Sequence, residues 1–224
     1  RIGIYGPGFD AEEMTEETAA LFAAAVAELE AEGAVAVTDV FAGGEVAALE
    51  TSPSGMETAT FDWDQYYSRY GNGISGLEDV VALLDAEDLA EGAPGNRFVR
   101  DAEPFDYTDF IALRETYLDT FAAIMEENDL DAFVFPVFAN GVPPLGDRQQ
   151  TITVPEINIS GLPGVIVPAG RYESGQPFAL IFIGAMWSEA ELLAYAYDYE
   201  QATHHRIVPE LETEVLTEAA VTVE

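Results

Sequence analysis

Apolar positions along this chain change period several times, and each change predicts a new element. Ile2-Gly3-Ile4-Tyr5 alternates as a short strand over 1–5, which Gly6-Pro7-Gly8 turns. Asp10 with Glu13 has capping-box spacing. Ala19, Leu21, Phe22, Ala25, Val26 and Leu29 then recur at helical spacing as far as Gly33, a left-handed stop. Val35, Val37 and Val40 return to strand alternation. Strand, helix and strand in that order imply parallel strands joined by a right-handed crossover.

Between 43 and 106 the pattern loosens. Phe61, Trp63, Tyr66, Tyr67 and Tyr70 fall at roughly helical spacing and predict a core-facing helix. Ser75 with Glu78 opens a second helix running to about Leu84, and Gly92, Pro94 and Gly95 mark a loop. From 107 to 128 Phe110, Leu113, Tyr117, Phe121, Ile124 and Met125 form the apolar stripe of a long helix that Asn128 and Asp129 end. Phe133-Val134-Phe135 reads as a buried strand stopped by Pro136, with a Gly/Pro loop through Gly146. Val165-Ile166-Val167 is another strand, closed by Pro168-Ala169-Gly170, and 178–183 a third. Ser188 with Glu191 opens a last helix carrying Leu192, Leu193, Tyr195, Ala196 and Tyr199. The expected architecture is α/β: a mixed, mostly parallel sheet with helices on both faces. One unit covers 1–209, and 210–224 is an acidic tail expected to fray.

Charge changes this picture most. The 224 residues hold 42 Asp and Glu against eight basic residues, all arginine, for a net charge of −34. Such a chain repels nucleic acid and anionic membrane surfaces. No apolar run approaches the roughly 18–20 residues of a membrane-spanning helix. Two readings of the acids stay open: adaptation to concentrated salt, which screens their repulsion, or a docking surface for a basic partner. Their spread along the whole chain favours salt adaptation. Cysteine is absent, which fits a reducing, cytoplasmic compartment. Arg1 is followed at once by strand, with no Met or leader, so the expectation is a piece of a longer polypeptide.

Most catalytic sets find no support. His204 and His205 are adjacent at a helix end, where cationic side chains complement the helix dipole. Glu200 precedes His204 by four, a metal-corner spacing, but no metal is assigned. Gly6-Pro7-Gly8 departs from the phosphate-loop pattern. A lysine base is excluded because lysine is absent.

One ordered constellation remains. It begins with Asp131-Ala132-Phe133-Val134-Phe135-Pro136. Next comes Asn158-Ile159-Ser160-Gly161-Leu162-Pro163, leading to Pro168-Ala169-Gly170. It ends with Gly175-Gln176-Pro177 through Gly184, then Ser188-Glu189, Leu192-Leu193 and Glu200. This set resembles the C-terminal half of the amidase signature family, and the likeness extends loosely over 1–209. The resemblance implies a serine nucleophile, a second serine in a cis peptide that relays the proton, a lysine base and a backbone oxyanion hole, with no cofactor or metal. The Gly/Ser-rich motif that carries this set is absent here. Ser54-Gly55, Ser75-Gly76 and Ser160-Gly161 stand in other contexts.

The resemblance therefore implies that this chain has no catalytic residue of its own and needs the missing N-terminal catalytic half as partner. It would complete the sheet and supply one wall of a pocket for a small-molecule amide, with Phe138, Ala139 and Asn140 after the Pro136 strand end as wall candidates. Asp131, Pro136, Gly161, Pro163, Pro168 and Gly170 would be architectural, with Asn158 locking its loop. The alternative is a non-catalytic subunit or degenerate amidase-like binding protein that pairs with another chain. An isolated half should expose a cut sheet edge and associate, a homodimer being one form. Residues 177–181 lack the family's P-x-G-x-Q, and Thr151 replaces an Asp found in the tRNA-dependent amidotransferases of the family. Both departures favour a stand-alone amidase.

Salt adaptation makes a thermal prediction. Raising KCl from about 0.1 M to about 3 M should raise the melting temperature by many degrees, because the Debye length falls from about 10 Å to under 3 Å. A melting temperature independent of salt would refute it.

Overall fold

The computed structural model describes residues 1–9, 14–53, 56–87, 89, 106–144, 147, 152 and 154–208. Its elements are β1 (Ile2–Ile4), α1 (Glu16–Ala31), β2 (Ala36–Val37), α2 (Ala59–Tyr70), α3 (Leu77–Val81), α4 (Thr108–Asn128), β3 (Ala132–Pro136), α5 (Val154–Ser160), β4 (Gly164–Arg171), β5 (Pro177–Ile183) and α6 (Glu189–Thr203). The sheet order is β2-β1-β3-β5-β4. β1 pairs in parallel with β2 and β3. β5 lies antiparallel to both β3 and β4. The sheet is thus mixed, parallel on the β1 side and antiparallel on the β4 side. β4 runs in the direction of β3, so β3, α5 and β4 make a crossover unit, and β5 returns to fill the gap between its strands.

All five residues of β3 are buried, as a central strand requires. Its side chains alternate between two cores. Ala132 and Val134 join Ile2, Ile4, Phe22, Leu192 and Tyr199 under α1 and α6. Phe133 and Phe135 join Phe9, Phe41, Tyr117, Phe121 and Ile159 under α4 and α5. β5 repeats the alternation, with Phe178, Leu180 and Phe182 on the first side and Ile181 and Ile183 on the second. Helices therefore cover both faces, as the patterning predicts.

Several local expectations are corrected. α1 starts at Glu16, where the Thr15 hydroxyl accepts from the Thr18 amide at 3.2 Å. Asp10 and Glu13 lie outside the described residues, as do Ser54, Gly55, Gly92, Pro94, Gly95, Gly146, Thr151 and the tail at 210–224. β2 has two residues, and Val40 is a core residue in the turn that follows it. α2 forms, but its rings do not face the core. The helix packs on α3 and the preceding turn, outside both core clusters, so Tyr66 and Tyr70 are 59% and 66% exposed and touch each other at a tilt of 48°. Ser75 pairs with Asp79 rather than Glu78, through its amide and its hydroxyl at 2.6 and 2.8 Å. Ser188 donates its hydroxyl back to the Ala185 carbonyl and does not cap α6. α5 was not legible, being one short helix over Val-Pro-Glu-Ile-Asn-Ile-Ser.

Gly8 and Gly33 both have left-handed backbone, with φ of +88° and +102°. A Cβ on Gly8 would overlap the Phe41 carbonyl, whereas one on Gly33 meets nothing. Gly33→Ala should cost about 1 kcal/mol, the ordinary left-handed penalty. Gly8→Ala should cost more than about 3 kcal/mol. Urea unfolding of the two variants checks this, and equal small losses would contradict the close Gly8–Phe41 approach.

Candidate functional site

Parallel strands bring their C-terminal ends to one edge, and in open α/β sheets that edge is where ligand crevices form. Here β1 and β3 end together at Ile4 and Pro136. The β4–β5 turn reaches past the same edge, because Pro136 pairs with Leu180 while Arg171 pairs with Pro177 three residues further on. The N-terminus of α1 arrives there too, since the Thr15 amide donates to the Ala139 carbonyl at 2.9 Å.

The wall candidates follow Pro136 directly. Phe138 and Asn140 are half-buried, while Ala139 is fully buried in the α4/α5 core. The segment is held from several directions. The Val137 amide donates to the Ala179 carbonyl at 3.2 Å, and the Ile152 amide donates to the Val137 carbonyl at 3.4 Å. The Gln176 side-chain amide donates to the Val142 carbonyl at 2.9 Å.

Near this edge lies a group that the sequence did not reveal. Glu156, in the first turn of α5, is 6% exposed and is the buried carboxylate among the described residues. Burial pushes the Tyr5 phenol up to about 12, and the Glu156 charge adds to the shift. Tyr117 is pushed up to about 12 by the same two causes in the same order. The Tyr117 hydroxyl donates to the Glu50 carbonyl at 3.0 Å. Both phenols thus remain neutral donors at physiological pH. A usable signal existed: Glu156 continues the apolar stripe of Ile152 and Ile159 at spacings of four and three, an odd place for an acid.

The motif residues divide between the two ends of the sheet. Asp131 precedes β3, where its carboxylate accepts from the Arg1 backbone nitrogen at 2.6 Å and its amide donates to the Arg1 carbonyl at 2.8 Å. It aligns the starts of β1 and β3. Asn158 is exposed, and Ser160 locks the loop in its place. The buried Ser160 hydroxyl accepts from the Leu162 amide at 3.2 Å, and its carbonyl accepts from the Arg114 Nε at 3.1 Å. Gly161, at φ +68°, lets its amide reach back to the Ile157 carbonyl at 2.8 Å. The Pro163 carbonyl accepts from Gly184. This loop starts β4, so it sits opposite the Pro136 end, and β4 is an edge strand among those described. The antiparallel β5 lies between β3 and β4 and sets β4 apart from the central strand. Pro168 and Gly170 flank a β-bulge at the Pro136 end, with Gly170 at φ +137°.

The histidines serve α6. His204 ends it in left-handed backbone, and His205 Nε2 lies 3.0 Å from both Glu28 carboxylate oxygens, beside the Tyr199 hydroxyl that donates to Glu28 at 2.6 Å. Burial first, then the hydrogen bond to Glu28 and its charge, hold the Tyr199 phenol far above its ordinary value. A cavity of about 170 Å³ lined by Arg1, Asp131, Tyr195 and Tyr199 opens at the N-terminal ends of β1 and β3, away from the wall candidates. Among the described residues no helix is long and apolar enough to cross a membrane.

Known proteins give this geometry a context. Residues 1–193 match the family model described as Amidase. A glutamyl-tRNA(Gln) amidotransferase subunit from Oceanobacillus iheyensis is 41% identical over 179 residues, 73% of this chain and 36% of that protein. The subunit of the same name from Halorhodospira halophila is 27% identical over 94% of this chain and 46% of its own length. Among solved structures, native peptide amidase from Stenotrophomonas maltophilia superposes with a TM-score of 0.70 at 23% identity, covering 95% of this chain and 45% of that one. The chain spans less than half the length of each of these relatives.

Proposed function

This chain belongs to the amidase family, and from that premise we propose that it is the sheet-completing portion of an amide hydrolase whose catalytic serines and lysine lie in residues outside this sequence. The reaction is cleavage of a carboxylic amide C–N bond through an acyl-enzyme. A serine oxygen attacks the carbonyl carbon, the amine leaves with a proton relayed from the lysine–serine pair, and water releases the acid. This sequence holds no lysine, so the base comes from elsewhere. What this chain contributes is one wall, from Phe138 and Asn140, together with the rigid edge that holds it.

The observation that carries this reading is the outer edge of β4. The strand is eight residues long, and among the described residues nothing pairs with its far side. Long free edges are rare in finished proteins because they recruit other strands. Apolar groups flank this one: Ile166 on β4, with Trp187, Leu193 and Tyr197 on and before the helix packed over it, are each more than half exposed. A continuing sheet and its helices would cover all four.

A second reading is that the complete protein is an amidotransferase subunit, favoured by the 41% identity to the Oceanobacillus protein. In that case a tRNA-bound substrate would approach a chain of charge −34.

Ammonia release separates these readings. The natively expressed protein should hydrolyse simple amides, and residues 1–224 alone should hydrolyse none. Hydrolysis of glutamine and of no other amide would favour the second reading. Amide hydrolysis by residues 1–224 alone would overturn the first.

A further inference from the structure

We propose that the β4–β5 turn is a two-armed clamp that positions the substrate wall at residues 137–142, with Tyr172 and Gln176 as positioning residues. The clamp's role rests on the amide-hydrolase reading and extends it to Tyr172, which lies between the motif stretches, and to Gln176, for which the resemblance implies no role.

Both arms leave the same turn. The Tyr172 amide donates to the Gln176 carbonyl at 2.9 Å and Gly175 folds back onto the Tyr172 carbonyl at 2.8 Å, so the two side chains are held in fixed relation. The first arm runs through hydroxyls. Tyr172 Oη lies 3.1 Å from Thr18 Oγ1, which lies 2.8 Å from Thr15 Oγ1, and the Thr15 amide donates to the Ala139 carbonyl at 2.9 Å. Thr18 is fully buried and Tyr172 is 5% exposed, so water does not compete for the bond between them, while Thr15 carries the arm to the surface. The second arm is direct, from Gln176 Nε2 to the Val142 carbonyl at 2.9 Å.

The two carbonyls bracket Asn140 and Gly141. Gly141 is where the clamp closes: a Cβ there would stand 2.7 Å from Gln176 Oε1 and 3.7 Å from the Tyr172 ring. A segment gripped on both sides of its half-buried residues has its rotamers and carbonyl directions set before substrate arrives, which is what a pocket wall requires. Burial raises the Tyr172 phenol, and the negative Glu17 adds to this against the opposing Thr18 hydrogen bond, so the hydroxyl keeps its proton.

The test uses the natively expressed protein with Tyr172→Phe, Gln176→Leu, the double variant, and Ser174→Ala as a control in the same turn. Amide hydrogen exchange across 137–142 should speed up about fivefold in each single variant and further in the double, while the control matches the parent. For an amide with a bulky acyl group, KM should rise about fivefold while kcat stays within about twofold, and a small acyl group should show less of the split. Unchanged exchange at 137–142 overturns the clamp. Faster exchange with KM unchanged for both amides overturns its role in positioning substrate. If the parent protein hydrolyses no amide, the functional reading fails, and exchange at 137–142 still decides whether the clamp exists.

Discussion

Phe133 and Phe135 leave β3 on one side of the sheet and meet a collar of rings contributed by three distant segments. Phe9 lies 5.1 Å from Phe135, Phe41 lies 5.3 and 5.7 Å from Phe133 and Phe135, and Phe121 lies 5.6 Å from Phe133. Each such pair adds about 0.5–1.5 kcal/mol beyond the burial of its area. More consequential than the sum is the constraint. The turn after β1, the turn after β2 and helix α4 all take their positions from two side chains of one strand. The close approach of Gly8 to the Phe41 backbone and of Gly3 to the Phe133 ring, where a Cβ would stand 2.8 Å from Cδ1, are consequences of that packing.

Once β3 is fixed, the chemistry of its far end follows. The chain leaving Pro136 continues its ladder to Ala179 for one more residue and then turns under α1. Glu156 and the phenols of Tyr5 and Tyr117 gather on one side of this end, and the Tyr172–Thr18–Thr15 hydroxyls on the other. Glu156, Tyr117, Thr18 and Tyr172 are the buried members of these two groups, and the Thr18–Tyr172 hydrogen bond is shielded from water.

The sequence disclosed the elements whose signals are local and repeated. α4 runs within a residue of its expected span, because six apolar positions and a left-handed Asp129 mark it independently. The strands at 132–136 and 177–183 were equally plain, and the order β1–α1–β2 was legible although β2 is shorter and α1 starts later than the pattern suggested. What stayed hidden depended on partners. The aromatic spacing of α2 suggested burial, but burial needs a surface to pack on, and neither core cluster reaches that helix. Asn158 and Ser160 are both polar residues at the end of α5, and which one locks the loop is decided by the facing of a helix too short to show a period. Glu156 was one acid among 42 until packing set it apart. The family motif itself was legible, and its loop starts a strand that is at the edge among the described residues, because the antiparallel β5 occupies the place beside β3.

A sheet-completing role requires β4 to be an interior strand in the working protein. Amide hydrogen exchange over Gly164–Arg171, compared between the natively expressed protein and residues 1–224 alone, tests this most directly. Amides of β4 that point away from β5 should exchange far more slowly in the native protein than in residues 1–224. Equal, rapid exchange at those amides in both would mean that nothing continues the sheet, and the sheet-completing role would be wrong.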